Sequence, residues 1–87
     1  MSENQKNPCP CCGYLTLAEK PPGTYEVCPV CFWEDDVAQG NDTNLAGGAN
    51  IVSLAQARKN FALYGASSPE YRHRVRDPRP EEIPSFK

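Results

Sequence analysis

Cys9-Pro10-Cys11-Cys12-Gly13 and Cys28-Pro29-Val30-Cys31 decide how this chain folds. Cys9/Cys12 and Cys28/Cys31 each have the C-x2-C spacing, and the whole unit reads C-x2-C-x15-C-x2-C. That is the spacing of a four-thiolate metal site. Two intervening residues let the chain double back, so that both sulfurs of a pair face one point. Thiolate sulfur is a soft ligand, and a tetrahedron of four suits Zn2+ or iron. The reading is one structural Zn2+ on Cys9, Cys12, Cys28 and Cys31, with rubredoxin-like iron as the alternative. With every coordination position filled by protein, water activation at the metal is not expected.

The rest of the composition says why a metal is needed. The chain has 87 residues, and Leu, Ile, Val and Phe together contribute only fifteen. A core that thin needs a staple. Disulfides are the competing staple. They are disfavoured by the odd cysteine count of five and by the polar start Met-Ser-Glu-Asn-Gln-Lys-Asn, which is not a signal peptide. No apolar run approaches the roughly 20 residues of a membrane span. A reducing cytoplasm is the expected compartment.

Working outward, residues 1–8 read as a loose arm and 9–37 as a metal ribbon. Tyr14–Leu17 and Thr24–Val27 read as two short strands of one hairpin, joined by the Pro21-Pro22-Gly23 turn. Residues 38–52, rich in Asn, Asp and Gly, read as a loop. Ser53 looks like a helix N-cap with Gln56 completing a capping box, and Leu54, Ala57, Phe61 and Tyr64 share one face. Gly65 is the stop, giving a helix over about 54–64 within a 53–66 segment. Residues 67–87 form a basic segment and tail, in which Arg72, Arg74 and Arg76 alternate as on one face of a strand. The expected fold is a single small metal-stabilised α+β domain: a zinc-ribbon-like hairpin with two knuckles, plus one helix in the C-terminal half.

Other residues offer candidate chemistry. Gly13 follows Cys12 where a left-handed backbone is needed, whereas Phe32 stands at the matching place after Cys31 and is expected to alter that turn. Cys11 is the spare thiol; a reactive nucleophile is the sharp reading, a bystander in the knuckle the bland one. His73 has no recognisable partner. Trp33, Glu34, Asp35 and Asp36 form an aromatic-acidic candidate binding surface. Charge is uneven: residues 1–50 carry two basic and seven acidic groups, residues 51–87 seven basic and four acidic. The overall charge of -2 lacks a general nucleic-acid footprint. The arginines at 72, 74 and 76 keep nucleic-acid binding as the second choice.

The stretches Cys9-Pro10-Cys11-Cys12-Gly13-Tyr14-Leu15-Thr16-Leu17 and Tyr25-Glu26-Val27-Cys28-Pro29-Val30-Cys31-Phe32-Trp33-Glu34-Asp35-Asp36 resemble the bacterial cysteine-rich CPCC family. Gly47-Gly48-Ala49-Asn50, Ser53-Leu54, Ala57-Arg58, Asn60-Phe61, Gly65-Ala66 and Val75-Arg76 continue the resemblance. It implies a small bacterial protein with a cysteine-bound metal and brings no settled activity with it. The function expected is therefore a zinc-stabilised module that binds another protein, of inhibitor or immunity type in its most concrete version. It is not expected to be an enzyme. An iron or thiol redox protein is the third reading.

Overall fold

The computed structural model describes residues 6–84, and residues 1–5 and 85–87 lie outside it. The sequence dictates two tight loops around the cysteine pairs, and each is closed by its own short antiparallel pairing. Around the first loop, β1 (Asn7–Pro8) pairs with β2 (Leu15–Leu17), Asn7 opposite Leu17 and Pro8 opposite Leu15, with a register irregularity between. Pro8 is tolerated because this is an edge, where a missing N–H leaves no ladder bond unmade. Around the second loop, Val27 and Glu34 form an isolated antiparallel bridge. The described part of the arm is thus not loose at Asn7–Pro8.

The hairpin is therefore β1–β2, and Thr24–Val27 is not the partner of Tyr14–Leu17. The backbone of each predicted strand is used to close its own knuckle. Tyr25 adds a left-handed φ of 59°, which interrupts an extended run. The two segments are joined instead by a side chain: the Glu26 carboxylate accepts from the Ala18 and Glu19 N–H groups at 2.9 and 3.0 Å.

The stretch after the second knuckle is more ordered than a loop. Asp36 caps α1 (Val37–Asn41), accepting from the Ala38 and Gln39 amides. Its other oxygen accepts from Ala49 N at 2.9 Å. A polar lock then fixes residues 45–52. Gln39, fully buried, donates to the Leu45, Asn50 and Val52 carbonyls and accepts from Asn50. Gly48 is required here, since a Cβ would lie 2.8 Å from Asp36 Oδ2.

Asn50 acts as a surrogate third strand. Cys28 N donates to Trp33 O and Asp35 N to Glu26 O, so the Val27–Glu34 pair is of the non-hydrogen-bonded kind. Glu34 N–H and C=O consequently point away from Val27. The Asn50 amide satisfies both, at 2.9 and 2.7 Å. Asn50→Ala is expected to destabilise by about 2–4 kcal/mol, because two part-buried backbone groups lose their partners. Asn50→Asp is expected to fare no better, since a carboxylate cannot donate to Glu34 O. A chemical-denaturation midpoint for Asn50→Asp close to wild type would refute this account.

Helix α2 spans Leu54–Tyr64, with Ser53 Oγ accepting from Gln56 N and Gly65 at φ 77° closing it. The capping box is only half formed, because Gln56 Nε2 reaches forward to Asn60 Oδ1 at 2.9 Å. The buried face is Leu54, Ala57 and Asn60, not the Phe61/Tyr64 stripe. Asn60 is inside because its amide donates to Ser67 O at 2.8 Å and turns the chain after the helix. Phe61 packs edge-on against Tyr14, with ring centroids 6.3 Å apart.

No strand forms at Tyr71–Arg76. Single turns of 3-10 helix, Pro69–Tyr71 and Pro80–Glu82, flank an irregular segment. Together these elements give a small α+β fold in which a two-stranded hairpin and one main helix surround a cysteine cluster.

Candidate metal centre

The two knuckles are near-copies. Cys9 N donates to Tyr14 O and Gly13 N to Cys9 O; Cys28 N donates to Trp33 O and Phe32 N to Cys28 O. Gly13 has φ 81° and Phe32 φ 70°. Phe32 does not alter the turn, as its bulk had suggested, but adopts the same left-handed backbone. For a residue with a Cβ that conformation costs roughly 1–2 kcal/mol. The ring recovers part of this against Tyr71, 4.6 Å away between centroids.

The copied turns aim four sulfurs at one point. The Sγ atoms of Cys9, Cys12, Cys28 and Cys31 all lie within 4.8 Å of one another. Cys9–Cys31 and Cys12–Cys28 are 3.6 and 3.7 Å apart. A tetrahedron with metal–sulfur bonds of about 2.3 Å has edges of about 3.8 Å, so the set fits a tetrathiolate ion. Cys9, Cys28 and Cys31 are buried and Cys12 is half-buried. The centre can therefore hold a metal, with three of its four sulfurs buried.

A chain of this kind, with this cluster, has a family. A family model described as cysteine-rich CPCC matches residues 7–82. The chain belongs to the cysteine-rich CPCC family. No curated protein matches it.

Electrostatics in this CPCC centre favour a cation. Four thiols this close cannot all ionise without one. The Cys12 thiol is pushed up by its contact with Cys28, and Cys28 is pulled down by accepting from Cys12 and Cys31. Cys31 is pushed up by Cys11 beside it, then by the other thiols. A bound cation reverses this, because a coordinating thiol is deprotonated outright. Thr16 Oγ1 lies 3.0 Å from Cys28 Sγ, where the hydroxyl can donate to a thiolate. Sequence reading missed Thr16; its only signal was a small hydroxyl residue between Leu15 and Leu17.

Cys11 is outside the ligand set, and at 8% exposure it belongs to the core. It lacks the access a reactive thiol needs. The aromatic-acidic surface is also corrected. Trp33 and Asp35 are 0% exposed and Asp36 9%. Asp35 Oδ2 accepts from Thr24 N at 2.9 Å, and Asp36 caps α1. The Ala49 amide, then those of Gln39 and Ala38, hold the Asp36 carboxyl below the usual carboxylate range. Only Glu34 of the acidic run keeps partial exposure. Unpaired backbone N–H groups recruited these carboxylates inward.

The arginine stripe is broken up as well. Arg76 forms a two-pronged pair with Glu82 at 2.9 and 2.8 Å, and its N–H donates to Pro29 O at 3.1 Å in the second knuckle. Arg72 caps Pro69 O at 2.9 Å, while Arg74 and His73 are exposed. Three tethers thus join the centre to the rest of the chain: Arg58 Nε to Pro10 O, Ser67 N to Cys31 O and Arg76 N to Pro29 O.

The Arg76 guanidinium, helped by the Arg79 N–H, lowers the Glu82 carboxyl from 4.5 to about 2. A folded value below the unfolded one stabilises fully above about pH 4.5 and is lost as pH falls towards 2. Wild type is therefore expected to protect the Arg76 amide from hydrogen exchange better than Glu82→Gln at neutral pH. The difference shrinks across that window. A difference independent of pH would show that the ion pair is not the clasp.

Proposed function

We propose that this CPCC-family chain is a bacterial cytoplasmic module in which one Zn2+ is structural and the work is done by binding another protein. The observation that carries this reading is the closed, largely buried tetrathiolate: all four ligand positions come from Cys9, Cys12, Cys28 and Cys31. A metal so enclosed shapes the chain rather than meeting a substrate. Among the described residues, no helix is long and apolar enough to cross a membrane.

The burial of Trp33, Asp35 and Asp36 moves the proposed surface. Tyr25 and Val27 are 52% and 45% exposed, and Ile51 is 74% exposed. Val27 and Asn50 both engage Glu34, so the segments that carry Val27 and Ile51 meet at that residue. The Gln39–Asn50 lock holds the backbone next to Ile51 on a rigid frame. Rigid presentation lowers the entropy lost on binding. The inhibitor or immunity version loses most of its acidic run and retains Glu34 beside these apolar side chains.

Native mass spectrometry of protein purified without affinity metals tests the metal half, with one Zn2+ per chain expected. Bound iron, visible as red protein, would overturn it. For the surface half, Ile51→Lys is expected to abolish binding of any partner recovered with the wild type while leaving zinc content intact. Retained binding would sink this surface.

A further inference from the structure

A second site lies on the outer side of the second knuckle, where Val30 and the C-terminal end of α2 meet the segment after the helix. A cavity of about 430 Å³ opens there. Its apolar walls are Val30, Phe61, Tyr64, Val75 and Pro78. Its charged lining is Arg72, Arg76 and Asp77. That volume falls within the roughly 300–1,000 Å³ of small-ligand sites.

The three charges are not equivalent. Arg76 is committed to Glu82 on both prongs, and to the Asp77 carbonyl at 3.0 Å. Arg72 has one hydrogen bond, from Nη1 to Pro69 O. That bond orients the guanidinium and leaves most of its fork unspent. Among the described residues the only ion pair is Arg76–Glu82. Arg72 and Asp77 therefore line one cavity without neutralising each other.

We propose that this cavity binds an apolar amino-acid residue by its α-carboxylate. The carboxylate sits on the Arg72 fork, and the side chain lies against Phe61, Val75 and Pro78. A planar guanidinium matches a carboxylate through two parallel hydrogen bonds, which an ammonium does not. The residue is either a free amino acid, whose ammonium faces Asp77, or the C-terminus of a protein chain, which presents an amide there. The site goes beyond the metal-stabilised binding reading and needs only the folded chain.

The test is an amide-resolved NMR titration of the zinc-loaded full chain with L-phenylalanine, N-acetyl-L-phenylalanine and phenethylamine. At least one of the two carboxylates is expected to shift the Val30, Gly65 and Val75 amides, and phenethylamine to leave them in place. Tighter L-phenylalanine assigns the free amino acid; tighter N-acetyl-L-phenylalanine assigns a chain terminus. Arg72→Ala is expected to weaken the preferred probe by about tenfold or more. Arg72 is exposed, and an unchanged spectrum of the ligand-free variant establishes its fold. Three results overturn the site: no shift with either carboxylate, equal binding of phenethylamine, or unchanged affinity in Arg72→Ala.

Discussion

Chelating the metal is expected to unfold helix α2 together with the knuckles, in one transition. Among the described residues ten apolar side chains are buried, and four of them are cysteines. What remains is Leu17, Val30, Trp33, Leu54, Ala57 and Ala66. Structural zinc binding supplies about 10–16 kcal/mol of apparent free energy in small domains. Whole domains retain only about 5–15 kcal/mol of net stability. Removing a bound ion is therefore expected to take the chain below the folding threshold. The three tethers from Arg58, Ser67 and Arg76 end on knuckle carbonyls, so loss of the knuckles removes their acceptors. Cys28→Ser is expected to behave like chelation, and Cys11→Ser to keep both metal and fold. Helical circular dichroism and indole emission, followed together during chelator titration, provide the check. A helix signal that survives after the indole environment has changed would refute the single transition.

Trp33→Ala is expected to destabilise by about 3–5 kcal/mol, the cost of emptying the largest fully buried side chain. Among the described residues the indole Nε1 has no hydrogen-bond partner, so its removal strands no acceptor there and the loss is one of packing. Trp33→Phe keeps much of the volume and is expected to cost about 1–2 kcal/mol. On the small net stability of ordinary domains, the alanine variant is expected to be largely unfolded at 37 °C even with the metal bound. Denaturant unfolding of the metal-loaded variants measures both. An alanine variant as stable as wild type would return Trp33 to the surface and revive the aromatic-acidic docking face.

These two variants mark how far the sequence could be read. Spacing alone located all four sulfurs, because a tetrahedral ion imposes one geometry on two C-x2-C turns. Ser53 and Gly65 bounded α2 correctly, because capping and left-handed closure are local. Asp35 and Asp36 were misplaced for a physical reason. A run of carboxylates is ordinarily solvated, but here the amides of Thr24, Ala38, Gln39 and Ala49 needed acceptors. Ala38 and Gln39 are near neighbours that a helix cap at Asp36 would have announced, whereas Thr24 and Ala49 lie eleven and thirteen residues from their acceptors. Arg76 is a similar case, its period-two neighbours suggesting a strand until Glu82 and Pro29 claimed it.

The sequence by itself determined the four clustered cysteines, the thin core and the main helix, since each follows from near-neighbour spacing and composition. Only the tertiary structure decided which strand pairs with which, that Asn50 completes the edge of Glu34, and which charges remain outside. Those outcomes depend on where buried N–H and C=O groups find partners, and that accounting closes only when the whole chain is folded.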